Sequence, residues 1–152
     1  MNMKQYFFVV AFFLAGNTVL AQNENPVSWS FSSKKINATT FEIHLSATID
    51  EDWHIYSQAT PSGGPVPTTI SFSRNPVVTL QGSVMEVGKM EQRSEPLFGV
   101  DVRQYSGKVN FVQKLTVKKG IKAAVNGTVE YMTCNDHECI PPKKLKFSIP
   151  LK

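Results

Sequence analysis

The 152-residue chain is poor in cysteine, with Cys134 and Cys139 and no others. That excludes a dense disulfide framework, and their spacing fits no common zinc pattern. The chain also lacks any dozen-residue stretch with an apolar stripe at helical spacing, which argues against a helical fold. There is no internal repeat and no sign of a second domain. Beyond the N-terminus no apolar run is long enough to span a bilayer. Charge of one sign is not concentrated either. Lys and Arg number 16 against 12 Asp and Glu, a formal net charge of +4. Lys118, Lys119 and Lys122 cluster, as do Lys143, Lys144 and Lys146. No aromatic or Arg-rich pattern accompanies them, so they read as solvated strand faces and not as a nucleic-acid or membrane footprint.

The N-terminus has what the rest lacks. Lys4 precedes an apolar run from Tyr6 to Ala15, and Val19-Leu20-Ala21 supplies small residues at a cleavage position. Residues 1–21 are expected to be a secretory signal peptide, cleaved before Gln22. The run is too short for a spanning helix, and no cysteine follows to carry a lipid. The mature chain, residues 22–152, would be one domain of 131 residues (152 − 21) with no direct membrane insertion.

Period-two alternation dominates that domain. Phe41, Ile43, Leu45, Ala47 and Ile49 fall on one face, and Glu42, His44, Ser46 and Thr48 on the other. Leu145, Phe147, Ile149 and Leu151 repeat the pattern near the end. Shorter strand signals lie at 27–31, 53–57, 69–73, 77–81, 109–117 and 128–134, and turns are expected at 50–52, 75–76, 106–107, 119–120 and 126–127. Short strands at this spacing predict an all-β, immunoglobulin-like antiparallel β-sandwich. Two segments read as loops: the Pro/Gly-rich Thr60–Pro67, and Glu91–Gly99, whose apolar Leu97-Phe98 either fills the core or covers something.

The cysteines lie in Thr133-Cys134-Asn135-Asp136-His137-Glu138-Cys139-Ile140-Pro141-Pro142. In an exported protein two cysteines are most simply paired. Asn135-Asp136 is a turn signal that would bring them within bonding range. So short a bridge contributes about 2 kcal/mol by chain entropy, less than one that ties distant strands. It is therefore either a minor staple or a redox centre. Asp136 and Glu138 disfavour a thiolate by like charge, while a protonated His137 would favour one. Three readings stay open: a thiol–disulfide exchange centre, a non-catalytic binding module with a structural disulfide, and a soft-metal (copper) carrier using Cys134, His137, Cys139 and Met132. The last lacks an evident complete ligand set, so neither metal nor cofactor is expected.

With these residues in view, the chain resembles the N-terminal periplasmic domain of the thiol–disulfide interchange protein DsbD. The likeness rests on Tyr131–Pro142, on Asp52-Trp53-His54-Ile55-Tyr56-Ser57-Gln58, and on Glu95-Pro96-Leu97-Phe98-Gly99. It implies an immunoglobulin-like fold, a periplasmic location and a redox pair, Cys134 and Cys139, with Cys139 taking the mixed disulfide. It implies that Phe98 or Leu97 caps the pair, that His54 and Tyr56 line it, and that Glu95 sits close by. It also implies a thioredoxin-like electron donor, a membrane DsbD-type conduit, and periplasmic thioredoxin-fold clients such as those of cytochrome c biogenesis. His54 stands where the family is expected to carry a phenol. The sequence ends at Lys152 without a thioredoxin Cys-x-x-Cys, so the expected donor is a separate protein.

Overall fold

The computed structural model describes residues 25–152, so the expected signal peptide lies outside the described residues. Eight strands and no helix occur among them: β1 (Val27–Lys35), β2 (Thr40–Ile49), β3 (His54–Tyr56), β4 (Thr69–Phe72), β5 (Val78–Glu95), β6 (Val100–Val117), β7 (Ala124–Cys134) and β8 (Cys139–Pro150). All pairings are antiparallel, and the ladder is continuous in the order β1-β2-β6-β3-β7-β4, with β5 on β6 and β8 on β7. The sheet curls so that its two ends face each other. Trp29 and Phe31 of β1 reach across to Tyr131 and Phe147, with ring centroids 5.3 and 5.5 Å apart.

The alternation in β2 is realised as expected: Phe41, Ile43, Leu45, Ala47 and Ile49 are all buried. They meet Val109, Phe111 and Leu115 of β6, Val125, Val129 and Tyr131 of β7, and Phe147 and Ile149 of β8 in one apolar core. Leu145 is an exception, 38% exposed at the edge strand β8, where the partner layer no longer covers it.

Several expected boundaries are corrected. Glu91–Glu95 is not loop but the end of an 18-residue β5, and the turn is confined to residues 96–99. Those polar residues pair with Val100–Gln104 because an edge strand needs only backbone partners on one side. Ser106-Gly107 does not separate strands. It lies within β6 at a register irregularity, where Gly107, at φ 69°, absorbs the bend. Asn126-Gly127 is likewise inside β7. A Cβ on Gly127 would collide with the Ser71 carbonyl and the Phe147 ring, so this glycine permits close packing rather than a turn.

Strand β3 positions the site. Its three residues are wedged between β6 and β7, and all are buried. Ile55 enters the main core, whereas Tyr56 joins a separate small cluster with Val102 and Cys134. One short strand thus serves two interiors through its period-two alternation.

Candidate redox site at the β7–β8 hairpin

Cys134 ends β7 and Cys139 begins β8, and the two are directly opposed across the ladder. They form a disulfide with Cα atoms 4.0 Å apart, slightly closer than the range expected from sequence. Asn135 builds the turn between them: its side-chain oxygen accepts from the backbone N–H of His137 and of Glu138, each at 2.8 Å, and its own N–H donates to the Glu138 carbonyl at 2.9 Å. This is the turn that Asn135-Asp136 announces. Pro141-Pro142 follows on the edge strand. Both prolines face the single residue Met132 in a register shift, the setting in which an edge strand tolerates proline.

The two sulfurs sit in unequal environments. Cys134 is fully buried against Tyr56 and Val102, and Cys139 is partly exposed. Val100 and Met132 complete the apolar wall. The Pro/Gly-rich loop backs it: the Val66 N–H donates to the Met132 sulfur at 3.4 Å, and a Cβ on Gly64 would meet a methyl of Val100 at 2.7 Å.

Beside this wall lies a buried polar chain. His54 pairs in register with Cys134 on one side and Ser106 on the other. Its Nε2 is 3.1 Å from the Tyr56 hydroxyl, which donates to Glu95 Oε2 at 3.3 Å; His54 Nε2 and Glu95 Oε2 are 3.7 Å apart. The single hydroxyl proton goes to Glu95, so the Tyr56 oxygen accepts from His54, which assigns the proton to Nε2. Burial holds the imidazole below its ordinary pKa, partly opposed by the Glu95 charge. Burial and then Glu95 push the Tyr56 phenol above its ordinary value, so it stays protonated. Tyr105, also raised by burial, donates to Glu86 at 2.8 Å, and Glu86 accepts from Ser57 Oγ and the Gln58 N–H at 2.7 Å each. That clamp fixes the chain leaving β3.

The structure therefore brings Cys134, Cys139, Tyr56, His54 and Glu95 into one neighbourhood. Leu97 and Phe98 sit in the β5–β6 turn, closed by bonds from the Phe98 and Gly99 N–H groups to the Glu95 carbonyl at 3.1 and 2.8 Å. Leu97 is 55% exposed, and Phe98 is half-buried outside the cluster that packs on the disulfide. Of the loop residues, His137 and Glu138 are exposed, while Asp136 pairs with Arg93 of β5 at 3.2 Å. The sulfurs are bonded to each other, and no cluster of three His, Cys, Asp or Glu suited to a metal occurs among the described residues. Sequence reasoning missed Val100 and Val102, Arg93, and the supporting role of Gly64 and Val66. Only the proline and glycine density of Thr60–Pro67 hinted at the last.

The fold and site together define an all-β domain with a disulfide at a hairpin mouth, one sulfur buried and one partly exposed. A family model described as the N-terminal domain of the thiol:disulfide interchange protein DsbD matches residues 18–150, and the chain belongs to that family. Thiol–disulfide exchange is the activity of that family. The fold is similar to the reduced N-terminal domain of DsbD from Neisseria meningitidis, at 16% identity and TM-score 0.51, covering 74% of this chain and 85% of that one. It is also similar to the N-terminal periplasmic domain of ScsB from Proteus mirabilis, at 18% identity and TM-score 0.52, covering 82% of this chain and 44% of that one. A third likeness is to the Neisseria meningitidis complex of the DsbD and PilB N-terminal domains, at 13% identity and TM-score 0.51, covering 86% and 87%. These likenesses establish the shared immunoglobulin-like fold. No curated protein sequence matches the chain.

Proposed function

We propose that the domain relays reducing equivalents in the periplasm, from a thioredoxin-like donor to client disulfides, through Cys134 and Cys139. The observation that carries this reading is the unequal exposure of the two sulfurs at a hairpin mouth. A donor thiolate attacks Cys139 Sγ, and the bond to Cys134 breaks with its electron pair leaving on Cys134. The second donor thiol then attacks the donor's own sulfur in the mixed disulfide. That step releases Cys139 as a thiolate and leaves the donor oxidised and this domain a dithiol. The same steps run in reverse, with Cys139 attacking a client disulfide and Cys134 resolving, to pass the electrons on.

The location is supported by the N-terminal signal pattern and by the periplasmic ScsB domain of the same fold. The partner class is supported by the family and by the solved complex of a DsbD domain with a PilB domain. A membrane DsbD-type conduit would supply the donor with electrons. In this reading the Leu97-Phe98 turn shields the pair from stray oxidants, because it joins the buried Glu95 to Val100 and Val102. Tyr56, His54 and Glu95 hold the floor on which Cys134 rests.

The test is reduction of the oxidised domain by a thioredoxin, with trapping of the mixed disulfide by a thioredoxin variant that lacks its resolving cysteine. Trapping at Cys139 is expected. Failure to exchange, with a large stability loss on breaking the bridge, would favour a structural staple. Stoichiometric Cu(I) binding by the reduced protein without exchange would favour the copper carrier.

A further inference from the structure

An acidic groove of about 560 Å³ opens beside the disulfide hairpin. Asp50, Glu51, Asp52, Glu91 and Asp136 line it against the single guanidinium of Arg93, so with His54 neutral its formal charge is −4 (one positive, five negative). The whole chain carries +4. A groove of sign opposite to its protein is a focused field, not a reflection of composition.

Gln104 also lines this groove. It is 1% exposed, faces Glu91 and Tyr56 in register, and its carboxamide oxygen has no hydrogen-bond partner among the described residues. A buried acceptor without a donor costs about 1–3 kcal/mol, so it marks a place where a donor is missing. The carboxylates are spread around the groove, since no three of them converge to hold a metal ion among the described residues. The groove thus suits an extended donor-bearing ligand better than a bare cation. Asp136 belongs to the turn between the cysteines, and His54 pairs in register with Cys134, so the groove borders the hairpin that carries the disulfide.

We infer that this groove is the partner-selecting subsite of the exchange reaction: it receives a lysine- or arginine-bearing segment flanking the partner's reactive cysteine, which donates to Gln104 and is held by Asp50, Glu51, Asp52 and Glu91. The inference rests on the exchange reading above. It assigns partner specificity to charge on the β3–β6 side of the hairpin, away from the apolar wall of Val100, Val102 and Met132.

The test uses Cys134→Ser loaded at Cys139 with 5-thio-2-nitrobenzoate. A peptide thiolate attacks Cys139 Sγ, and the coloured thionitrobenzoate leaves with the electron pair. Synthetic peptides carry one cysteine flanked by lysines or by glutamates. The lysine peptide is expected to react about tenfold faster at low salt, falling to within about twofold at about 0.5 M salt. Neutralising the groove in Asp50→Asn/Glu51→Gln/Glu91→Gln removes the difference, while dithiothreitol reacts equally with both proteins. Gln104→Leu slows the lysine peptide about threefold and leaves the glutamate peptide unchanged. A glutamate peptide as fast as the lysine peptide, or a ratio insensitive to salt, overturns the inference. The same peptides with serine in place of cysteine supply a readout free of redox chemistry. The lysine version should shift the amide resonances of Trp53, Glu91, Gln104 and Asp136, and equal shifts with the glutamate version, or none with either, also overturn it. Loss of all thiol reactivity, dithiothreitol included, with those shifts intact, would strike the exchange reading and leave the groove standing.

Discussion

The molecule has two interiors that differ in kind. The main core, between β2, β6, β7 and β8, is apolar except where the buried Gln113 amide of β6 donates to backbone carbonyls, and it is closed by aromatic contacts from β1. The small interior around the hairpin has only Tyr56, Val102 and Cys134 fully buried, with the His54–Tyr56–Glu95 chain beside them. The first is what a sandwich needs in order to fold. The second buries a carboxylate, an imidazole and a phenol next to a disulfide, a costly arrangement that packing alone would not select. Stability and function are therefore expected to separate between the two.

The largest separation should come from Cys139→Ser. Exchange with a thioredoxin is expected to vanish, while urea unfolding shows a loss of only about 2 kcal/mol, the chain-entropy value for so small a loop. Phe111→Ala is the opposite case. Phe111 is fully buried in the main core, so about 3–5 kcal/mol of stability should go while the surviving folded protein still exchanges at Cys139. Equal stability losses from both variants would erase the distinction. Glu95→Leu should cost less, about 1–3 kcal/mol by chemical denaturation, because it leaves the Tyr56 hydroxyl without its buried acceptor. Glu95→Gln, which keeps an acceptor, should lose a smaller part of that.

The smallest effect concerns pH. Burial first, and Arg93 second, hold His54 below its ordinary value of 6.5, against the pull of Glu95, Asp136 and Glu91. Between 6.5 and the lower folded value the unfolded chain takes up a proton that the folded chain refuses. The His54 contribution is therefore complete above 6.5 and is lost as pH falls below it. Denaturation midpoints at about pH 7.5 and about pH 5.5 should diverge less in His54→Gln than in the parent. An unchanged divergence would mean that His54 is not the proton acceptor.

What the sequence disclosed follows from how local each signal was. The strict alternation of Phe41 to Ile49, the Asn135-Asp136 turn and the cysteine spacing are set by nearest neighbours, and each was realised. Glu91–Glu95 reads as loop because its residues are polar, yet an edge strand asks only for backbone pairing. Asn126-Gly127 is a turn by local rules, and only the approach of Phe147 explains its glycine. Val100, Val102, Arg93 and Gln104 carry no signature of their own. They matter because the pairing of β6 with β3 and β5 carries them to the hairpin, and that pairing is long-range. Leu97 and Phe98 stand out in the sequence as an apolar pair after a polar stretch, and the structure places them in the β5–β6 turn.

The central claim is that the Cys134–Cys139 bridge is made to be opened by a partner at Cys139. The direct measurement is the reduction potential of the folded domain, taken by equilibration with a thioredoxin couple. A value above about −300 mV, with Cys139 in the trapped mixed disulfide, is the predicted result. A value below that limit, with no exchange even after Leu97→Ala and Phe98→Ala, would contradict it.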